Sequence, residues 1–252
     1  GSVRFVAEKL NQPLSWKSPR LIFTNSMSDW LHRGFDWAEV NQSVDVMRRA
    51  DWHVFMTLTR RSFRLGYVPQ RAGLMELPAH IWAGVTVPSA KYKFRIDHLR
   101  EVKAATRWIS FEPLLGDIGE VNLSGIHWAV IGGLSGRGEL RPMHSAWVRS
   151  LIDQCERQGV AVFFKQWGMT CPVEHLPHDV ILSPSSNTII VDRDGNTGQS
   201  VRSNRSPEMH VIFGNKKTAG RNWHGEALDD YPALKHFPEK MLAYLKVQPL
   251  LQ

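Results

Sequence analysis

Short apolar, β-branched or aromatic runs that stop abruptly at polar residues recur six times along the chain, with helix-like sequence between them. Each run reads as a buried parallel strand followed by a βα loop. The runs are Leu21–Thr24, His53–Leu58, Ile81–Val87, Trp108–Phe111, Ile126–Ile131 and Val160–Phe164. Their spacing of roughly 20 to 35 residues is what one strand, one helix and two loops consume. Between them, Asp36 and Glu39 form a capping box ahead of Val40, Val44 and Met47 at helical spacing. A second helix is predicted to start at Ser145 as its cap, to carry the stripe Val148, Leu151, Ile152 and Cys155, and to end at Gly159. Cys155 is then a small core residue. A less periodic helix is expected near Ala90 to Lys103.

After Trp167 this rhythm stops. Residues Pro172 to Pro207 are rich in Pro, Ser, Asn, Asp and Gly, with one readable hairpin: Thr188–Asp192, a turn over Arg193–Asn196, then a return strand. The predicted fold is α/β, a partial TIM-like (β/α) barrel with parallel strands and a loop and hairpin insertion towards the C-terminus. Residues 3–169 form the barrel core, 170–213 the insertion and 214–252 a closing segment, with a final amphipathic helix near Pro238 to Val247.

Composition narrows the class. The 252 residues are 42% hydrophobic and 22% charged, enough for a real core and against intrinsic disorder. No apolar run approaches the roughly 20 residues of a membrane span. With two cysteines, Cys155 and Cys171, there is no disulfide framework, and no secretory signal opens the chain, so a cytoplasmic location is expected. The chain opens Gly1-Ser2 rather than Met, as an expression scar does, so a natural N-terminal stretch is expected before it. A formal net charge of +7 favours an anionic partner, nucleic acid among them.

Parallel βα folds build their sites where the carboxyl ends of the strands converge. Polar clusters sit at every such end: Asn25, Ser26, Ser28, Asp29 and His32 after the first run, Thr59 and Arg60 after the second, Thr86 within the third, Glu112 after the fourth, Ser135 after the fifth, and Lys165 and Gln166 at the sixth. Glu112 can orient a substrate, take a proton or pair with Lys165 or Arg60; a structural ion pair is the alternative. The loop Gly132-Gly133-Leu134-Ser135-Gly136-Arg137-Gly138 lacks both the Walker and the dinucleotide spacing, and reads equally as an anion-binding or a plain flexible loop, with Arg137 and Arg141 favouring binding. Cys171, His175 and His178 have donors for a metal, but three ligands in a Pro-rich insertion argue weakly, and no metal site is assigned. Most of the ten tryptophans are expected to fill the core, with Trp30 and Trp167 placed on rim loops where they can stack on a base or sugar.

These stretches together resemble the phage Gp37/Gp68-like family, a domain of unknown function. The resemblance is carried by Pro19–Asp29 with His32, Leu58–Arg60, Ile81–Thr86, Phe111–Gly116, Val130–Gly133 with Ser135 and Gly136, Arg141–His144 and Phe163–Gly168. Gly214 to Arg221, with Lys217, is similar to the family's closing basic stretch. Members carry, upstream of where this chain starts, a three-cysteine motif like that of radical S-adenosylmethionine enzymes. The resemblance therefore implies a partial barrel with a [4Fe–4S] cluster at the first strand's loop, where three thiolates hold three irons and the fourth binds S-adenosylmethionine. The candidate catalytic residues on this rim are Glu112, Lys165 and Asp29, with His144, Trp167, Lys217 and Arg221 among the candidate binding residues. This chain has none of those cysteines, and it carries Leu134 and Pro88 where the family tends to have carboxylates. The expected function is a radical-S-adenosylmethionine-like enzyme domain acting on a nucleic acid or nucleotide-like substrate. The alternative is a non-catalytic protein on the same barrel that recognises nucleic acid or a partner protein.

Overall fold

The computed structural model describes residues 4–24, 28–136, 139–176, 186–198, 201, 203–213, 216–224 and 226–232. Six strands form one all-parallel sheet in sequential order, curled into a half-barrel: β1 (Leu21–Phe23), β2 (Val54–Met56), β3 (Ile81–Thr86), β4 (Arg107–Phe111), β5 (Trp128–Gly132) and β6 (Ala161–Gln166). All six predicted runs are strands. Sequential order with parallel pairing requires a crossover after every strand, and helices supply most of them. These are α3 (Trp37–Arg49), α4 (Ser62–Arg71), α5 (Phe94–Arg100) and α6 (Ser145–Arg157); two short turns, α1 (Ala7–Leu10) and α2 (Gln12–Ser15), precede β1.

Alternation along the strands divides the core in two. One face packs under the helices, with Phe55, Ile81, Ala83, Ile109, Ala129, Ile131, Val162 and Phe164 against residues such as Val44, Leu65, Leu99 and Trp147. The other face holds Val54, Trp82, Trp108, Trp128 and Val130, with Phe163 and Tyr231 packed on them. Tyr231 stacks on Trp128 at 5.4 Å, and the Trp128 indole N–H donates to the Asp230 carbonyl. Tryptophan thus fills the half-barrel's interior, as the composition predicts. The edge of β6 is covered as well: Phe164 donates its N–H to Leu228, and Asp230 donates to Val162, so residues 228–230 pair antiparallel along it.

The capping box forms as predicted, with Asp36 Oδ1 accepting from the Glu39 N–H and Glu39 Oε2 accepting from the Asp36 N–H. At α6 the cap is His144 rather than Ser145: His144 Nδ1 accepts from the Ala146 N–H. The predicted hairpin is also corrected. β8 (Thr188–Val191) pairs antiparallel with β9 (Glu208–Ile212), far beyond the turn, and β9 pairs with β7 (Thr170–Pro172). Immediately after the turn the return is one bridge, Val191 to Thr197, because Asp192 Oδ1 closes the loop by accepting from Asp194 N–H and Asn196 N–H. The chain continues through α7 (Lys216–Ala219), β10 (Asn222–Trp223) and β11 (Glu226–Ala227). The helix expected near Pro238 to Val247 lies outside the described residues. None of the described helices is long and apolar enough to cross a membrane.

Gly66 lies exposed in the middle of α4, where an added Cβ meets no atom within 4 Å. Gly66→Ala is therefore expected to raise stability by about 0.5–1 kcal/mol, seen as a higher midpoint in urea unfolding with an unchanged slope.

Candidate functional site

The rim at the carboxyl ends of the strands has two polar centres. At β4 to β6, Glu112 leaves the strand on the same face as Trp108 and Ser110, and Lys165 leaves β6 on the face of Phe163. Lys165 Nζ donates to Glu112 Oε2 at 2.9 Å. Gln166 Nε2 donates to the Gly133 carbonyl at 2.7 Å and to Glu112 Oε1 at 3.2 Å. Two acceptors around one amide nitrogen fix which way the amide points. The buried Gln166 Oε1 is left with no hydrogen-bond partner in the protein. Lys165 keeps 41% of its side chain exposed, so its remaining N–H donors face solvent.

Glycine makes this geometry reachable. A Cβ on Gly133 would lie 2.1 Å from the Trp167 carbonyl oxygen, and one on Gly168, at φ +99°, would lie 2.5 Å from the Leu134 carbonyl. The loops after β5 and β6 thus cross backbone to backbone, and the Gly133 N–H donates to the Gln166 carbonyl where the two strands end.

The second centre is Asp29. Its Oδ1 accepts from Thr59 Oγ1 at 2.7 Å and the Leu31 N–H, while Oδ2 accepts from the Arg60 N–H and, at 2.6 Å, from Arg61 Nη1. Burial pushes this carboxyl up, but the hydrogen bonds from Thr59, Arg60 and Arg61 outweigh it and hold it below the ordinary carboxylate range. Asp29 therefore clamps the loop after β1 to the loop after β2. Arg95, from α5, donates to the Thr86 carbonyl at 2.7 Å and lies within Coulombic reach of Arg60, Arg61 and Asp29. Arg61 and Arg95 were not among the sequence candidates; the doubled arginine after the second run was the available signal for Arg61.

Several predicted binders are placed elsewhere. Trp167 is 1% exposed and lies stacked with His175 and Trp223, its indole N–H donating to the Asn222 carbonyl. Trp30 is buried too, so neither indole presents a face to a base. His144 is buried, with Nδ1 capping α6 and Nε2 donating to the Ser206 carbonyl, so its ring is engaged in structure. Arg141 is exposed and pairs with Glu139. Arg221 pairs with Asp229 and lies over the Phe163 ring, and Lys217 is exposed on α7. Thr59 and Thr86 are buried, Ser28 is exposed, Ser135 is half-buried, and His32 accepts from the Gly34 N–H. Asn25, Ser26, Arg137 and His178 lie outside the described residues.

The chain's cysteines do not fit an iron–sulfur cluster. Cys155 sits in α6 and Cys171 in β7, both buried, and burial pushes each thiol up to about 12, away from the thiolate a cluster binds. Among the described residues no three His, Cys, Asp or Glu side chains converge on a metal-sized space.

A match to one family spans residues 1–232, the whole half-barrel and its covering segment. The chain belongs to the family described as protein of unknown function (DUF5131). No curated protein and no solved structure matches this DUF5131 chain.

Proposed function

We propose that this DUF5131 half-barrel is the substrate-binding domain of an enzyme acting on a nucleotide-like anion, with Glu112, Lys165 and Gln166 as its centre. The observation that carries this is the buried, unpartnered Gln166 Oε1 beside the Lys165–Glu112 pair. An orphaned buried acceptor costs free energy that a ligand donor can recover. The centre therefore asks for a ligand with an anionic group for Lys165 and an N–H or O–H for Gln166, a combination that a nucleotide provides. When Lys165 turns to the ligand's anion, Glu112 Oε2 is left free to accept a hydrogen bond from the ligand.

Likeness of the rim motifs to the phage Gp37/Gp68-like family, whose members carry a three-cysteine motif like that of radical S-adenosylmethionine enzymes, supports an enzyme, and the basic balance of the chain supports an anionic substrate. A purely binding role is favoured by one observation: Asp29, the other rim carboxylate, has both oxygens engaged by the protein.

Isothermal titration of the chain with adenosine 5′-monophosphate tests the proposal. Lys165→Met, which keeps the apolar stem, is expected to weaken binding about 10-fold or more while moving stability by less than about 1 kcal/mol, since the ion pair is partly exposed. Equal affinity in wild type and variant, or no binding by wild type, would overturn it. A changed mass in the nucleotide recovered after incubation would favour the enzyme, an unchanged mass the binder.

A further inference from the structure

We propose that the corner formed by α4 and α5 beside the rim is a docking surface for single-stranded nucleic acid. This rests on reading the rim as a nucleotide site, and it identifies that nucleotide as one unit of a strand. Large aromatic side chains are exposed at this corner: Phe63 at 65%, Phe94 at 48% and Tyr67 at 41%. They are continuous rather than scattered. Phe63 meets Tyr67 at 5.2 Å one helical turn on, and both Phe63 and Phe94 pack edge-on to His98, at 6.1 and 5.5 Å. Ser62 Oγ lies 2.9 Å from His98 Nδ1, which holds that ring between the two helices.

Charge separates a nucleic-acid partner from an apolar protein partner. Residues 60–100 contain eight Lys and Arg against two Asp and Glu, most of the chain's surplus of seven. One of the two acids, Asp97, is paired with Arg100 at 2.6 Å. Arg60 and Lys91 are exposed, and Arg95, 4.2 Å from the Tyr92 ring, has its buried Nε without a partner. Apolar protein docking would strip water from these cations without compensation, whereas phosphates neutralise them and release counterions. Exposed aromatic rings, with Arg95 5.9 Å from that of Phe94, match unpaired bases, whose faces are free to stack; bases inside a duplex are already stacked.

Fluorescence anisotropy of the full chain with 5′-labelled oligouridylate about 12 nucleotides long, and with a duplex of equal length, tests this at about 50 and about 200 mM salt. Phe63→Ala with Phe94→Ala is expected to weaken single-strand binding about 10-fold or more, with the salt slope and the melting temperature unchanged, since both rings are exposed. Arg60→Ala with Lys91→Ala is expected to weaken binding and to lower the salt slope by about 1.4, two phosphate contacts' worth. Wild-type affinity in the aromatic double variant, or duplex binding as tight as single-strand binding, would overturn the surface. Adenosine monophosphate titration keeps the two proposals apart: the aromatic variant should bind it as wild type does, whereas Lys165→Met should not.

Discussion

Gly133→Ala is expected to lower stability by roughly 3 kcal/mol, a fall in melting temperature of roughly 6–12 °C for a chain of this size. The added methyl would sit 2.1 Å from the Trp167 carbonyl oxygen and 2.6 Å from its carbon, both backbone atoms that no rotamer change can move. Relief requires the loops after β5 and β6 to separate. That breaks the Gly133 N–H to Gln166 carbonyl bond and draws the Gly133 carbonyl away from Gln166 Nε2. The same substitution should therefore remove nucleotide binding at Lys165, even at temperatures where the chain stays folded. Gly116→Ala is the matched control, because its Cβ would enter open space. Differential scanning calorimetry of the two variants decides the matter: equal melting temperatures would mean the loops do not cross as tightly as their backbone contact requires.

The half-barrel was legible because buried parallel strands write themselves as uninterrupted apolar runs, and a sequential strand order needs nothing beyond local sequence to be guessed. Contacts distant in sequence were not legible. Ser145 looked like the cap of α6, since serine is a favoured cap, but its hydroxyl and N–H both donate to Glu208, 63 residues on, and His144 takes the capping role. Trp167 looked like a rim stacker because it follows a strand end; residues 216–224 return over it and bury it. Polar residues at strand ends were read as a set, and of these Glu112, Lys165 and Gln166 do converge. Whether a rim residue is open, as Lys165 is, or saturated, as Asp29 is, depends on partners contributed by other loops. Arg95 reaches the rim from the start of a short helix that carried only weak periodicity.

Removing Glu208 is expected to detach the insertion from the barrel, with Glu208→Ala costing roughly 3 kcal/mol. One carboxylate joins three elements here. It accepts from the Ser145 N–H and hydroxyl at the start of α6, and from His210 Nε2 on its own strand β9 at 2.6 Å; the other ring nitrogen of His210 meets Thr170 Oγ1 on β7 at 3.1 Å. Truncation leaves these buried donors unpaired, which is why the loss exceeds the value of any one hydrogen bond. Burial pushes the Glu208 carboxyl up, but the hydrogen bonds from His210 and Ser145 outweigh it, so the folded chain holds it below 4.5. A group depressed on folding stabilises the native state above its unfolded pKa, and that contribution fades as pH falls through the folded value. The stability gap between wild type and the isosteric Glu208→Gln, measured by urea unfolding, should therefore be wide near pH 7 and narrow as pH drops below about 4.5. A gap that stays constant through that fall would show that the carboxylate's charge does not hold the insertion, leaving shape alone to do so.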